Sequence, residues 1–129
     1  MSEQRILAAP GTNIENRPFW DGANEGRFLV KWCTACGEPH FYPRAICPHC
    51  FSDATEWRES RGEGVIYSFS VMRRVPRPYA IAYVTLEEGV TVMTNLVDCD
   101  FDRLAVGQRV KVAFRDGDGG GRIPVFVPA

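Results

Sequence analysis

Four of the five cysteines in this 129-residue chain fall in CTACGEPHFYPRAICPHC, residues 33–50, as two Cys-x-x-Cys pairs with ten residues between them. Each such turn aims two thiolates at one point, so two turns facing each other supply the tetrahedral four-sulfur shell that zinc accepts. Cys33, Cys36, Cys47 and Cys50 are therefore predicted to ligate a metal. Gly37 tolerates the positive φ that a knuckle needs beside its metal, and Pro48 stiffens the second turn. Phe51 follows Cys50 where a glycine would serve better, which predicts a less regular second knuckle. Four protein ligands leave no position for water, so the ion is expected to be structural zinc, with iron in the same cage as its substitute. A pair of redox dithiols would each want a strand-to-helix setting, which these polar flanks do not offer. His40 and His49 sit inside the same segment and read as loop residues rather than ligands.

Outside that segment little remains that could react. With both histidines in the metal loop there is no base for a Ser-His or Cys-His couple. Glu87 and Glu88 are adjacent and point to opposite sides of an extended chain, and the glycines from 117 to 121 read as a hairpin tip. Cys99 lies between Asp98 and Asp100, whose charges would suppress its thiolate. No catalytic residue is assigned, and the chain reads as non-catalytic by itself. Arg73, Arg74 and Arg77 are the candidates for meeting a phosphate, an adenine or an acidic partner, against the plainer reading of a solvated loop.

These groups need a frame. Residues 1–15 read as a polar arm. Asn16 as a cap and Pro18 in a first turn predict a short helix ending near Gly26, followed by a strand over 27–32 that feeds the metal loop. After the polar stretch FSDATEWRESRGEG the period becomes two, and Val65, Tyr67, Phe69 and Val71 are expected to share the core side of a strand. YAIAYVTL, apolar on both sides as a central strand would be, VTVMTNLV, RVKVAF and IPVFV complete five strands, matching a small partly open Greek-key barrel of the OB type, with a small sandwich or SH3-like barrel giving nearly the same pattern. The expected organisation is thus an arm (1–15), a helix with metal ribbon (16–62) and a barrel (63–129).

Composition bounds what such a frame can serve. Hydrophobic residues make up 45% and charged residues 24%, and no apolar run approaches the ~20 residues of a membrane span. With no secretory leader in MSEQRILAAPGTN, a soluble protein of the reducing cytoplasm is expected. A net charge of −1 argues against a polyanion-coating protein. Charge is segregated, however: residues 64–86 hold three arginines and no acid, and residues 87–102 hold five acids and no base, which predicts a dipolar surface.

The order of parts is itself informative. PFWDGANEGRFLVKWCTACG, FYPRAICPHC, GEGVIYSF, PYAIAYVTLEEGV, LAVGQRVKVAF and a closing PVFVP together resemble the family in which a rubredoxin-like zinc ribbon is fused to an OB fold, long catalogued as a domain of unknown function. The resemblance covers residues 18–128. It implies an N-terminal helical hairpin region, a ribbon ligated by Cys33, Cys36, Cys47 and Cys50, and a C-terminal five-stranded OB barrel. It also implies an accessory subunit of acyl-CoA enzymes that pairs with thiolases, thiolase-like lipid-transfer aldolases or hotdog hydratases and helps form the pocket or channel for the CoA thioester. Catalytic residues would then belong to the partner. The alternative is a single-stranded nucleic-acid-binding OB module, for which Tyr67 and Phe69 would be the stacking platforms.

Overall fold

The computed structural model describes residues 7–129; the first six residues of the expected arm lie outside them. The remainder of that segment forms no helix or strand, but Leu7 is buried and its carbonyl accepts the N–H of Asp118 at 2.7 Å.

The fold is mainly β. Among the described residues there is one α-helix, α1 (Arg17–Asn24), where the family resemblance implies a helical hairpin; it carries Pro18 in its first turn and is followed by Gly26 at φ 76°. Asn16 stands at its N-cap position without capping it. Its side chain turns inward instead, accepting the N–H of Asn13 at 2.7 Å and donating to the Gly11 carbonyl and the Tyr42 hydroxyl.

A three-stranded antiparallel sheet follows, with β1 (Leu29–Cys33) between β2 (Pro39–His40) and β3 (Thr55–Glu59). Strand β3 lies in the polar stretch that the sequence pattern leaves irregular. It has almost no apolar alternation, and two cation–aromatic stacks serve in its place: Arg58 lies 4.7 Å from the Trp32 ring, and Lys31 lies 5.1 Å from the Trp57 ring.

Five strands then close an OB barrel in the order β4 (Glu63–Met72), β5 (Tyr79–Leu86), β6 (Thr91–Leu96), β8 (Arg122–Pro128), β7 (Arg109–Asp116). Closure comes from a parallel contact between β6 and β8, Leu96 against Phe126, where the pattern suggests a partly open barrel. Its interior is filled by Ile66, Val84, Leu86, Val92, Leu96, Val110 and Phe126. The expected core side of β4 is half wrong. A bulge between Ile66 and Ser68 shifts the register, so Ile66 faces inward before it, Phe69 and Val71 pack inward after it, and Tyr67 is left exposed.

Two devices join ribbon to barrel. An aromatic chain runs from Phe19 to Phe28 and from Phe28 to Phe126, with ring centroids 5.8 Å apart at both steps. At the crossover, Glu88 of the β5–β6 turn accepts from the Ser60 hydroxyl (3.0 Å) and the Arg61 N–H (3.1 Å), while Ser60 Oγ accepts from the Gly62 N–H. Gly64 is required just beyond, because a β-carbon there would overlap the Thr85 carbonyl.

Candidate metal centre and surrounding surface

The two Cys-x-x-Cys turns are built alike. In the first, Gly37 at φ 78° donates its N–H to the Cys33 carbonyl at 2.9 Å, and Cys33 donates to the Glu38 carbonyl at 3.0 Å. In the second, Phe51 at φ 65° donates to the Cys47 carbonyl at 2.9 Å, and Cys47 donates to the Ser52 carbonyl at 2.9 Å. The expected irregularity of the second knuckle is therefore absent; Phe51 adopts the left-handed conformation with its ring exposed.

The four sulfurs converge, all lying within 4.8 Å of one another. Cys33 and Cys50 are 3.5 Å apart and Cys36 and Cys47 3.8 Å, too far for a disulfide. A tetrahedron of sulfurs ~2.3 Å from a central ion has edges of about 3.8 Å, so the quartet fits a four-coordinate cation. Cys33 and Cys47 are buried, and Cys36 and Cys50 face outward.

The thiols cannot all ionise unaided. The backbone N–H of Cys36 holds Cys33 down at about 7, against the cost of its burial. Cys36 is drawn down by the Glu38 N–H, but burial and the neighbouring sulfurs outweigh this and push it up to about 12. Crowded sulfurs must share protons, and a divalent cation replaces those protons at a single stroke.

Neither histidine joins the quartet. The His49 ring lies 3.3 Å from the Pro39 carbonyl, and its backbone N–H points at the Cys47 sulfur. His40 is buried on β2 rather than looped out, and burial, only partly offset by a backbone contact at Arg44, lowers its pKa.

Arg73, Arg74 and Arg77 all lie in the segment joining β4 to β5. Arg73 is committed to Asp102 at 2.8 Å, whereas Arg74 is exposed with no described carboxylate partner. The dipolar surface expected from the charge segregation is largely cancelled by such pairing: Glu87 meets Arg61 and Arg109, Asp98 meets Arg115, and Asp100 meets Arg103. Cys99 is half-buried, and its pKa is raised first by burial and then by Asp98 and Asp100.

Two features escape the sequence. One is a cleft of about 480 Å³ where α1, the ribbon and the barrel meet, walled by Trp20, Phe41, Tyr42, Tyr83, Met93 and Ile123 among others, none charged. The other is the outer face of β4, β5 and β6, whose exposed Tyr67, Ile81, Tyr83 and Met93 follow from the bulge and from strict alternation in β5 and β6; β5, expected to be covered on both sides, is buried on its barrel side alone because no second layer of described residues lies over its outer one. Among the described residues no helix is long and apolar enough to cross a membrane.

Comparison with known proteins adds a context. Residues 20–56 match the family described as the ChsH2 rubredoxin-like zinc ribbon domain, and residues 57–115 match the ChsH2 C-terminal OB-fold domain. A DUF35 domain-containing scaffold protein of Methanocaldococcus jannaschii is 37% identical over 100 residues, covering 68% of this chain and 70% of that protein. A probable enoyl-CoA hydratase alpha subunit of Thermomonospora curvata is 33% identical over 125 residues, 93% of this chain but only 39% of that subunit; the chain thus spans about two fifths of that relative. A solved structure described as the Ltp2-ChsH2(DUF35) aldolase superposes with a TM-score of 0.84 at 32% identity, covering 93% of this chain and 98% of the matched one.

Proposed function

Since the chain belongs to the ChsH2/DUF35 family, in which a rubredoxin-like zinc ribbon precedes an OB fold, we propose that it is a non-catalytic accessory subunit of an acyl-CoA enzyme. Its partner in this reading is a thiolase-type subunit such as a lipid-transfer aldolase, with a hotdog hydratase as the second partner type. The chain stabilises that partner and helps form the pocket or channel for its CoA thioester. The observation that carries this reading is the near-complete superposition on a chain of the Ltp2-ChsH2(DUF35) aldolase, whose description couples two components.

The residues fit the role. Cys33, Cys36, Cys47 and Cys50 would hold zinc as a structural cross-link that fixes β1 and β2 against the second knuckle. Iron would fit the same sulfurs and would colour the protein. Nucleic acid is the weaker reading: Tyr67 is an exposed aromatic, but the strand face that carries it holds no cation to follow a phosphate backbone.

The test is co-expression with a thiolase-superfamily subunit of an acyl-CoA lyase. One stable complex whose activity needs both chains is expected. Separate elution, with full activity of the enzyme alone, would overturn the reading.

A further inference from the structure

Outward positions on the barrel wall follow from the register. Tyr83 pairs with Ser68 on one side and Met93 on the other, Ile81 pairs with Ser70 and Asn95, and Met72 pairs with Tyr79. No charged residue occupies these positions. Exposure is high for such large apolar groups: 67% for Tyr67, 61% for Met93, 48% for Tyr83, 46% for Met72 and 40% for Ile81. Adjacent exposed apolar side chains of this size mark a contact site on a protein surface, and depletion of charge marks the centre of an interface.

This face continues into the cleft, because Tyr83 and Met93 belong to both. A flat apolar field beside an aromatic-walled depression has the anatomy of a protein interface, where an anchoring side chain fills a pocket and the surrounding contacts exclude water. The cleft lining holds no cation, so it offers nothing to the phosphates of a CoA nucleotide. At one end of the face, in the segment after Met72, stands Arg74 without a described carboxylate, while the acids that follow β6 at the same end, Asp98, Asp100 and Asp102, are each engaged by another arginine.

We infer that the outer face of β4–β6 together with the adjoining cleft is the surface that docks the partner enzyme. Its occupant is an apolar ridge of that enzyme, with aliphatic or aromatic side chains entering the cleft and a carboxylate at the rim opposite Arg74. This assignment rests on the accessory-subunit reading and specifies where on the chain the contact is made.

The experiment titrates the metal-loaded 129-residue chain against the thiolase-superfamily subunit that it co-purifies with on co-expression. Met93→Glu and Tyr83→Ser are each expected to weaken the complex at least tenfold. Arg74→Glu should weaken it several-fold in low salt and little in high salt. Phe51→Glu, at an exposed ring on the second knuckle that lines neither the cleft nor this face, should leave affinity within twofold. Metal content and melting temperature identify any variant that fails to fold, and Met93→Gln and Ile81→Ser then replace it.

Affinity unchanged by both Met93→Glu and Tyr83→Ser would overturn the surface assignment while leaving the accessory role standing. So would a dimer of the free chain that Met93→Glu dissolves, since the face would then belong to a second copy. A shift of the Met93 methyl resonance when an acyl-CoA is added to the free chain would overturn it in favour of a small-molecule site. Absence of any complex with the unmodified chain would instead sink the accessory role, and this assignment with it.

Discussion

Phe51 stands in the second knuckle where Gly37 stands in the first, each at positive φ and each donating its N–H at 2.9 Å to the carbonyl of the leading cysteine. A residue with a β-carbon costs roughly 1–2 kcal/mol in this conformation, and the exposed Phe51 ring does little to offset it. Part of the gain from glycine is lost to the greater freedom of the unfolded chain. Phe51→Gly is therefore expected to stabilise the metal-loaded protein by about 0.5–1 kcal/mol, read by denaturant unfolding.

Removing one buried ligand should have a much larger effect. Cys47→Ser leaves three sulfurs and should abolish tight metal retention, measured as metal per chain after exhaustive dialysis. Strands β1 to β3 are held by one short sheet and the metal, so their amides should lose exchange protection while those of β4, β5 and β7 keep theirs. Full protection of β1 in the metal-free variant would show that the ion is dispensable for the ribbon.

Glu88 clamps the crossover through Ser60 and Arg61. Glu88→Ala leaves the buried Ser60 hydroxyl without its acceptor and should cost about 1–3 kcal/mol, measured by chemical denaturation. Glu87→Ala next to it loses only ion pairs between solvated groups and should cost less than about 1 kcal/mol.

Gly64→Ala tests the seam between β4 and β5. The added methyl would run into the Thr85 carbonyl, which is backbone and cannot rotate away. A loss of about 3 kcal/mol is expected, visible as a lowered melting temperature.

Cys99 should be a slow thiol. Its pKa in the folded chain is raised, by burial first and by Asp98 and Asp100 next, so at pH 8 iodoacetamide should alkylate it well below the rate of a free cysteine. The gap should narrow as pH climbs past the ordinary thiol range of about 8.5. Because the folded pKa lies above the unfolded one, stability is unaffected below that range and declines as pH rises through it.

Much of this architecture is legible in the chain because the signals are local. The cysteine spacing, Pro18 at a helix start, the strand segments of the barrel and the Gly-rich β7–β8 tip each declare themselves within a few residues. The failures share the opposite property. Strand β3 depends on stacking between Arg58 and Trp32 and between Lys31 and Trp57, partners on another strand. Tyr67 is misplaced by one inserted residue, after which every side chain of β4 changes side. Asn16 looks like a cap, yet its side-chain oxygen accepts the Asn13 N–H and its amide N–H is held by the hydroxyl of Tyr42, twenty-six residues away, which together turn the side chain inward. The acids of 87–102 read as a negative surface only until arginines from distant strands neutralise them. The metal site was plain from spacing, whereas the cleft was not, since its walls come from one helix, the ribbon and three barrel strands.

The contact between Leu96 and Phe126 gives the barrel an unequal seam. Strand β8 is zipped to β7 over seven residue pairs but meets β6 through one, backed by the Val97 N–H on the Phe126 carbonyl at 3.0 Å. A ring fastened so unevenly has a natural parting line. Breathing of the molecule should begin there, with β7 and β8 swinging out together as a flap, and because Phe126 anchors both that flap and the aromatic rings beneath the helix, each opening would loosen the ribbon's footing at the same instant.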